Sequence, residues 1–241
     1  EEGMRALTVI EAGHTFAGLA DRRGDFADWM ASGMGLARHD LKVVAACDGE
    51  KLPEVEDVTA AVVTGSHAMV TELRSWSEYL AGWLARAVAQ SVPVFGICYG
   101  HQLLAHALGG TVGEHPAGGE FGTVAVRLLP GAEDDALLSG LPAVFPAQVF
   151  HRQSVLRLPR GARPLAASSR EPHQAVRFAP RAWGVQFHPE FDDAIAAAYL
   201  DFDGERLVQE GFDPAALRAG LGRTPVAATL LQRFRRLALR S

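Results

Sequence analysis

The chain has 241 residues, 23 Lys and Arg against 28 Asp and Glu, and a formal net charge of −5, so it can bury a substantial core and lacks the basic stripe that releases counterions from nucleic acid. Two cysteines, Cys47 and Cys98, make a disulfide framework improbable and point to a reducing, cytoplasmic setting, and no CxxC or Cys/His cluster suggests zinc. The opening run EEGMRALTVIEAG is acidic, and its apolar part is too short for a signal peptide or a membrane span; no membrane partner is expected. Met4 reads as a natural start and residues 1–3 as a vector-derived remnant.

Short β-branched apolar runs recur at 5–10, 41–47, 59–65 and 92–97, and runs without alternation suit strands buried on both faces of a parallel sheet. Helices are expected over 25–38 and 73–90, the second carrying Trp76, Tyr79, Leu80, Trp83, Leu84 and Val88 at helical spacing, with the aromatics read as packing. Such repetition predicts a doubly wound α/β fold with right-handed crossovers, whose ligands lie at the carboxyl ends of the strands. His14 falls in the loop after the first strand, and Cys47, ending the second, reads as a core thiol without a nearby histidine.

Beyond residue 110 glycines, a proline and an alternating run at 123–128 predict antiparallel hairpins appended to the parallel core. Further strands are expected at 144–151, 163–169, 173–179 and 182–188, and helices at 190–210 and 224–238, with Asp192 or Asp193 as N-cap and a turn-laden connection between them. No repeat or boundary divides the chain, so 1–241 reads as one domain with 192–241 as a C-terminal helical extension.

The chemistry concentrates in PVFGICYGHQLLAHALG, residues 93–109. Read as strand, sharp turn and helix, it puts Cys98 at a nucleophile elbow, with Gly96 and Gly100 where side chains would collide with neighbouring backbone. The helix N-terminus offers partial positive charge to a thiolate and aims the Tyr99 N–H where an oxyanion would form. A base is then needed. The run WGVQFHPEF ends a strand at His188, and Glu190, two residues on, projects to the same side and can orient the imidazole. Pro189 stiffens the link. The candidate triad is Cys98, His188 and Glu190.

Gly96-Ile97-Cys98-Tyr99-Gly100-His101-Gln102 together with Phe187-His188-Pro189-Glu190 resembles the class I, triad-type glutamine amidotransferases, and the match runs from Thr59 to Phe191. The resemblance implies a flavodoxin-like sheet and hydrolysis of the glutamine side-chain amide through a γ-glutamyl thioester on Cys98, giving glutamate and ammonia. It also implies that Gly65 completes the oxyanion hole with Tyr99. The Thr64-Gly65-Ser66-His67 loop departs from the Gly-Gly-Pro or Gly-Pro-Gly of many relatives and is similar to the stand-alone, GMP-synthase-like glutaminase subgroup. Gln102, Arg152 and Gln153 match positions that hold the amino-acid end of the substrate, and His151 is read either as a turn residue or as a direct contact.

No cofactor is expected. His101 and His106 stand five apart, and neither HExxH nor a P-loop occurs, so no metal site is assigned. The 51 residues after Glu190 are too few for an ATP-using synthetase domain, so any ammonia acceptor is expected on a separate synthetase subunit. Two other readings stay open. One is a γ-glutamyl peptide or amide hydrolase or transferase using the same triad; the other is a non-catalytic regulatory or binding module.

Overall fold

The computed structural model describes residues 7–240; the expectations for residues 1–3 and Met4 lie outside the described residues. In chain order the elements are β1 (Thr8–Glu11), α1 (Ala17–Arg23), α2 (Phe26–Met34), β2 (Lys42–Ala45), β3 (Ala61–Val63), α3 (Ser75–Ala89), β4 (Val94–Ile97), α4 (Tyr99–Ala107), β5 (Thr111–Glu114), β6 (Glu120–Leu128) and β7 (Val144–His151). They continue with β8 (Gln153–Arg157), β9 (Arg163–Ala167), β10 (Ala175–Ala179), β11 (Ala182–Val185), α5 (Asp193–Phe202), α6 (Gly204–Gln209), α7 (Pro214–Ala219) and α8 (Pro225–Ala238).

Nine strands form one sheet in the order β2-β1-β3-β4-β11-β10-β9-β6-β7. The first five run parallel in the 2-1-3-4-5 order of flavodoxin-like sheets. The later strands form the expected antiparallel additions to this core. They extend it edgewise, antiparallel, and only β5 and β8 pair apart.

Alternation along β4 explains the two layers. Phe95 and Ile97 enter the core beneath α2 and α8 with Met30, Trp183 and Phe234, while Val94 faces the opposite core with Leu80, Trp83, Leu84 and Leu103. Each fully buried side chain of this size contributes roughly 1.5–3 kcal/mol of transfer free energy, which holds both helical layers on the sheet.

The helices refine the expected boundaries. The span 25–38 shortens to α2, because Asp25 caps it at its start and left-handed Gly35 ends it, and α1 precedes that span. Asp192 is the N-cap of α5, accepting from Ile195 N–H at 2.7 Å. The turn-laden connection contains a helical segment, α7, capped by Asp213 and opened by Pro214. In α3, Trp83 is buried and donates to Pro53 O at 2.8 Å; Tyr79, expected to pack, is exposed, because helical spacing alone does not fix how wide the covered stripe is. No helix among the described residues is long and apolar enough to cross a membrane.

Candidate active site

The site is built where β4 and β11 end side by side. Their register pairs Gly184 with Gly96 and Val185 with Ile97, and the Cys98 N–H donates to Val185 O at 2.8 Å. The next residues of both strands, Cys98 and Gln186, therefore leave the sheet at the same rim.

Cys98 occupies φ 50°, ψ −100°, a conformation sterically costly for a residue with a Cβ and retained only where surrounding structure enforces it. The enforcement is visible in the flanking glycines. A Cβ on Gly96 would lie 2.5 Å from Gly100 O, and one on Gly100 would lie 2.4 Å from Val63 O. Strand, elbow and helix thus approach more closely than any side chain permits, and α4 starts directly at Tyr99, whose N–H is among those with no intrahelical acceptor.

His188 is buried and anchored by its backbone N–H, which donates to Gln148 O at 2.8 Å. Its ring stacks on Phe191 with centroids 4.0 Å apart, and Nδ1 meets Glu190 Oε1 at 2.5 Å. Burial opposes charging the imidazole, but the Glu190 carboxylate, with Cys98 beside it, outweighs burial and pushes its pKa up to about 10. Gly65 lies against the same ring: a Cβ there would stand 3.1 Å from His188 Cε1. Cys98, His188, Glu190, Gly65 and Tyr99, drawn from three separated chain segments, are brought together.

The cleft beside Cys98 encloses about 150 Å³ and is lined by Tyr99, Gln102, Phe150, Gln153 and Tyr199 among others. The four residues expected to hold substrate share its wall, but their side chains are largely committed within the protein. Gln102 Nε2 donates to Gln153 O at 2.7 Å and to Gln186 Oε1 at 2.9 Å, so its own side-chain oxygen remains to accept. His151 uses both ring nitrogens, on Gln153 O at 2.9 Å and on Glu120 Oε2 at 3.1 Å. Arg152 is held by Asp203 at 2.5 Å and Glu210 at 2.8 Å, and the Gln153 side chain pairs with Thr71. What these four residues offer a ligand is backbone and the Gln102 oxygen, rather than the His151 imidazole or the Arg152 guanidinium.

One residue escaped the sequence reading. Gln186 is fully buried and donates from Nε2 to Cys98 Sγ at 3.5 Å while accepting from Gln102. The signal was present in WGVQFHPE, since Gln186 stands two residues before His188.

Cys47 is not an isolated core thiol. It is half-buried and its Sγ lies 3.6 Å from His14 Nε2; the loop after β1 folds back over the end of β2, a proximity that sequence separation hides. Burial first, then the Asp48 and Glu11 carboxylates, push the Cys47 thiol up to about 12, which leaves it a poor nucleophile. His101 is fully buried with its imidazole pushed down to about 3 by burial and by His173 and His151, so it stays neutral.

A sequence profile described as "Glutamine amidotransferase class-I" matches residues 29–202. A glutamine-hydrolyzing GMP synthase of Aeropyrum pernix is 39% identical over 142 residues, 59% of this chain and 25% of that protein. One subunit of the glutamine-hydrolyzing GMP synthase of Archaeoglobus fulgidus is 41% identical over 100 residues, 41% of this chain and 52% of that protein. The chain thus matches between a quarter and about half the length of these curated relatives. In fold it resembles a glutamine amidotransferase from Thermotoga maritima, with a TM-score of 0.76, 21% identity, and coverage of 98% of this chain and 99% of that one.

Proposed function

The chain belongs to the class I glutamine amidotransferases, and from that premise and its site geometry we propose that it hydrolyses the side-chain amide of glutamine through a thioester on Cys98. The observation that carries the reading is the β4–β11 register, which sets the strained cysteine beside a histidine already paired with a buried carboxylate.

In the first half-reaction the Cys98 thiol proton resides on His188 Nε2, as the raised imidazole pKa favours, and Sγ bonds to the amide carbon. The carbonyl electrons move onto oxygen, which the N–H groups of Gly65 and Tyr99 stabilise. Loss of one such donor lowers turnover about 10²–10³-fold in comparable sites. Collapse breaks the carbon–nitrogen bond, ammonia departs with the proton from His188, and the γ-glutamyl thioester remains. A water molecule then gives a proton to His188 and attacks the thioester; the carbon–sulfur bond breaks, Sγ is reprotonated, and glutamate leaves. Glu190 holds Nδ1–H throughout, keeping Nε2 turned to the sulfur and stabilising the imidazolium.

The likeness to a protein named as one component of a GMP synthase supports a separate synthetase chain as the ammonia acceptor. The two free thiols support a cytoplasmic setting. A second reading, a γ-glutamyl amide or peptide as substrate, is favoured by one observation. Tyr199, Phe202 and Arg206 of α5 and α6 line the same cleft as Cys98, giving aromatic and cationic surfaces suited to a leaving group larger than ammonia. The deciding experiment measures glutamate and ammonia release from glutamine and from a γ-glutamyl panel, with and without a synthetase chain, for wild type and Cys98→Ser. Glutamine turnover that vanishes in Cys98→Ser supports the proposal, turnover of γ-glutamyl peptides alone selects the second reading, and glutamate release that survives the substitution refutes the thioester.

A further inference from the structure

At the carboxyl ends of β1 and β2, on the rim that also carries the candidate active site, side chains with metal-ligand chemistry converge from three segments: Glu11 and His14, Asp25, and Cys47 with Asp48. His14 Nε2 lies 2.8 Å from Asp48 Oδ2 and 3.6 Å from Cys47 Sγ, and Sγ is 3.8 Å from Asp48 Oδ1. A tetrahedral zinc ion with nitrogen and oxygen at about 2.0–2.1 Å and sulfur at about 2.3 Å holds its ligands roughly 3.3–3.6 Å apart. One ligand atom from each of the three residues lies within 4.8 Å of the other two, and the nitrogen–sulfur separation of 3.6 Å matches an edge of such a tetrahedron.

The other ring nitrogen has a different partner. Nδ1 of His14 faces Asp25 Oδ2 at 3.0 Å, the carboxylate–histidine pairing that fixes a ring and leaves Nε2 free for a metal. Asp25 is committed to that role, because its Oδ1 accepts the N–H groups of Thr15 at 2.8 Å and Phe26 at 2.7 Å. Glu11 supplies an independent observation. It is only 7% exposed, its carboxylate is within 4.8 Å of ligand atoms of both His14 and Asp25, and it makes no hydrogen bond or ion pair among the described residues. Arg38, whose charge reaches it, pairs with Asp28 at 3.6 Å. A buried carboxylate without a partner is costly, and a dication at His14 would offset it.

We propose that His14 Nε2, Cys47 Sγ and an Asp48 carboxylate oxygen bind a divalent cation of zinc type, with water as fourth ligand. On binding, the Cys47 S–H bond breaks, its proton leaves to solvent, and a sulfur–metal bond forms. The ion ties the β1–α1 loop to the end of β2. That loop already braces the cleft: Thr15 Oγ1 meets Tyr199 Oη at 2.9 Å, and a Cβ on Gly13 would stand 2.7 Å from Ser66 Oγ, next to Gly65.

The test uses the full chain carrying Cys98→Ala, in which Cys47 is the only thiol, stripped with a chelator and titrated with Co²⁺ and then Zn²⁺. The expected result is the intense visible spectrum of four-coordinate cobalt with a near-ultraviolet thiolate charge-transfer band, both displaced by Zn²⁺. Cys47→Ser in the same background abolishes the charge-transfer band, and His14→Ala weakens Zn²⁺ binding at least ten-fold against a chromophoric chelator. A folded Cys98→Ala protein that shows no thiolate band overturns the site, as does a band that persists in Cys47→Ser. Should a second substitution prevent folding, the Cys98→Ala spectrum alone decides, since no other sulfur ligand of that kind remains.

Discussion

The backbone N–H of Cys98 donates to the carbonyl of Val185 at 2.8 Å. This one bond continues the parallel β4–β11 ladder by one residue past its last paired position and sets the distance between two chain segments 87 positions apart. His188 and Glu190 then follow in a short, proline-containing turn beyond the end of β11, so the strand register fixes where that turn begins.

Removal of any one of the three central groups is expected to cost most of the activity. Cys98→Ser and His188→Gln should each lower kcat for glutamine about 10³-fold or more, and Glu190→Gln should do so with little change in KM, because members of such a unit act together. Steady-state glutamate release checks this. A Glu190→Gln variant retaining wild-type kcat would remove Glu190 from the mechanism.

Gln186 gives a sharper prediction, since its amide touches the sulfur without reacting. Gln186→Leu removes the Nε2–Sγ hydrogen bond and leaves Gln102 with an unused donor. A hydrogen bond to a charged group is worth about 1.5–3 kcal/mol, which corresponds to a fall of roughly 10–100-fold in kcat/KM. Alkylation of Cys98 by iodoacetamide should slow in parallel; unchanged alkylation and turnover would show that the contact has no influence on the sulfur.

The glycines around the site should separate folding from chemistry. Gly96→Ala places a Cβ 2.5 Å from the Gly100 carbonyl, backbone that cannot step aside, and should destabilise by at least about 1–3 kcal/mol, readable as a lowered urea midpoint. Gly65→Ala meets the His188 ring edge at 3.1 Å and the Phe26 ring at 3.5 Å, side chains rather than backbone. It should fold normally yet lose turnover as the ring is displaced.

Stability should depend on pH through His188. Its folded pKa is raised to about 10 by Glu190 and Cys98 against the cost of burial, above an unfolded value of about 6.5. The stabilisation is therefore complete below about pH 6.5 and is lost as pH rises through about 10. Between pH 7 and 10 the wild-type Tm should fall more steeply than that of the double variant His188→Gln/Glu190→Gln. Equal slopes would mean that the pair stays neutral in the folded protein.

Much of the site was legible because its parts are local. The GICYGHQ elbow announces itself by glycines that only a crowded turn demands, and HPE by its spacing of two, although the structure ends β11 at Val185 and brings Glu190 to His188 through a turn at Pro189–Glu190 rather than along extended chain. The strand β7 was readable at 144–151 because its alternation and its turn-rich flanks are short-range signals. The side-chain partners of His151, Arg152 and Gln102 were not, because Glu120, Asp203, Glu210 and Gln186 lie 31, 51, 58 and 84 residues away, and nothing in the sequence selects among the many acids and amides that could meet them.

By itself, the sequence determined the alternation of buried strands and amphipathic helices, the elbow at Cys98 and the His188–Glu190 pair, since each rests on hydrophobic periodicity or backbone sterics within a few residues. Only the tertiary structure decided that the late strands extend the sheet, that Gln186 reaches the sulfur, and that His14 and Cys47 meet at the rim. Those contacts follow from strand order and register, which are set by the cooperative burial of both sheet faces and are a property of no single segment.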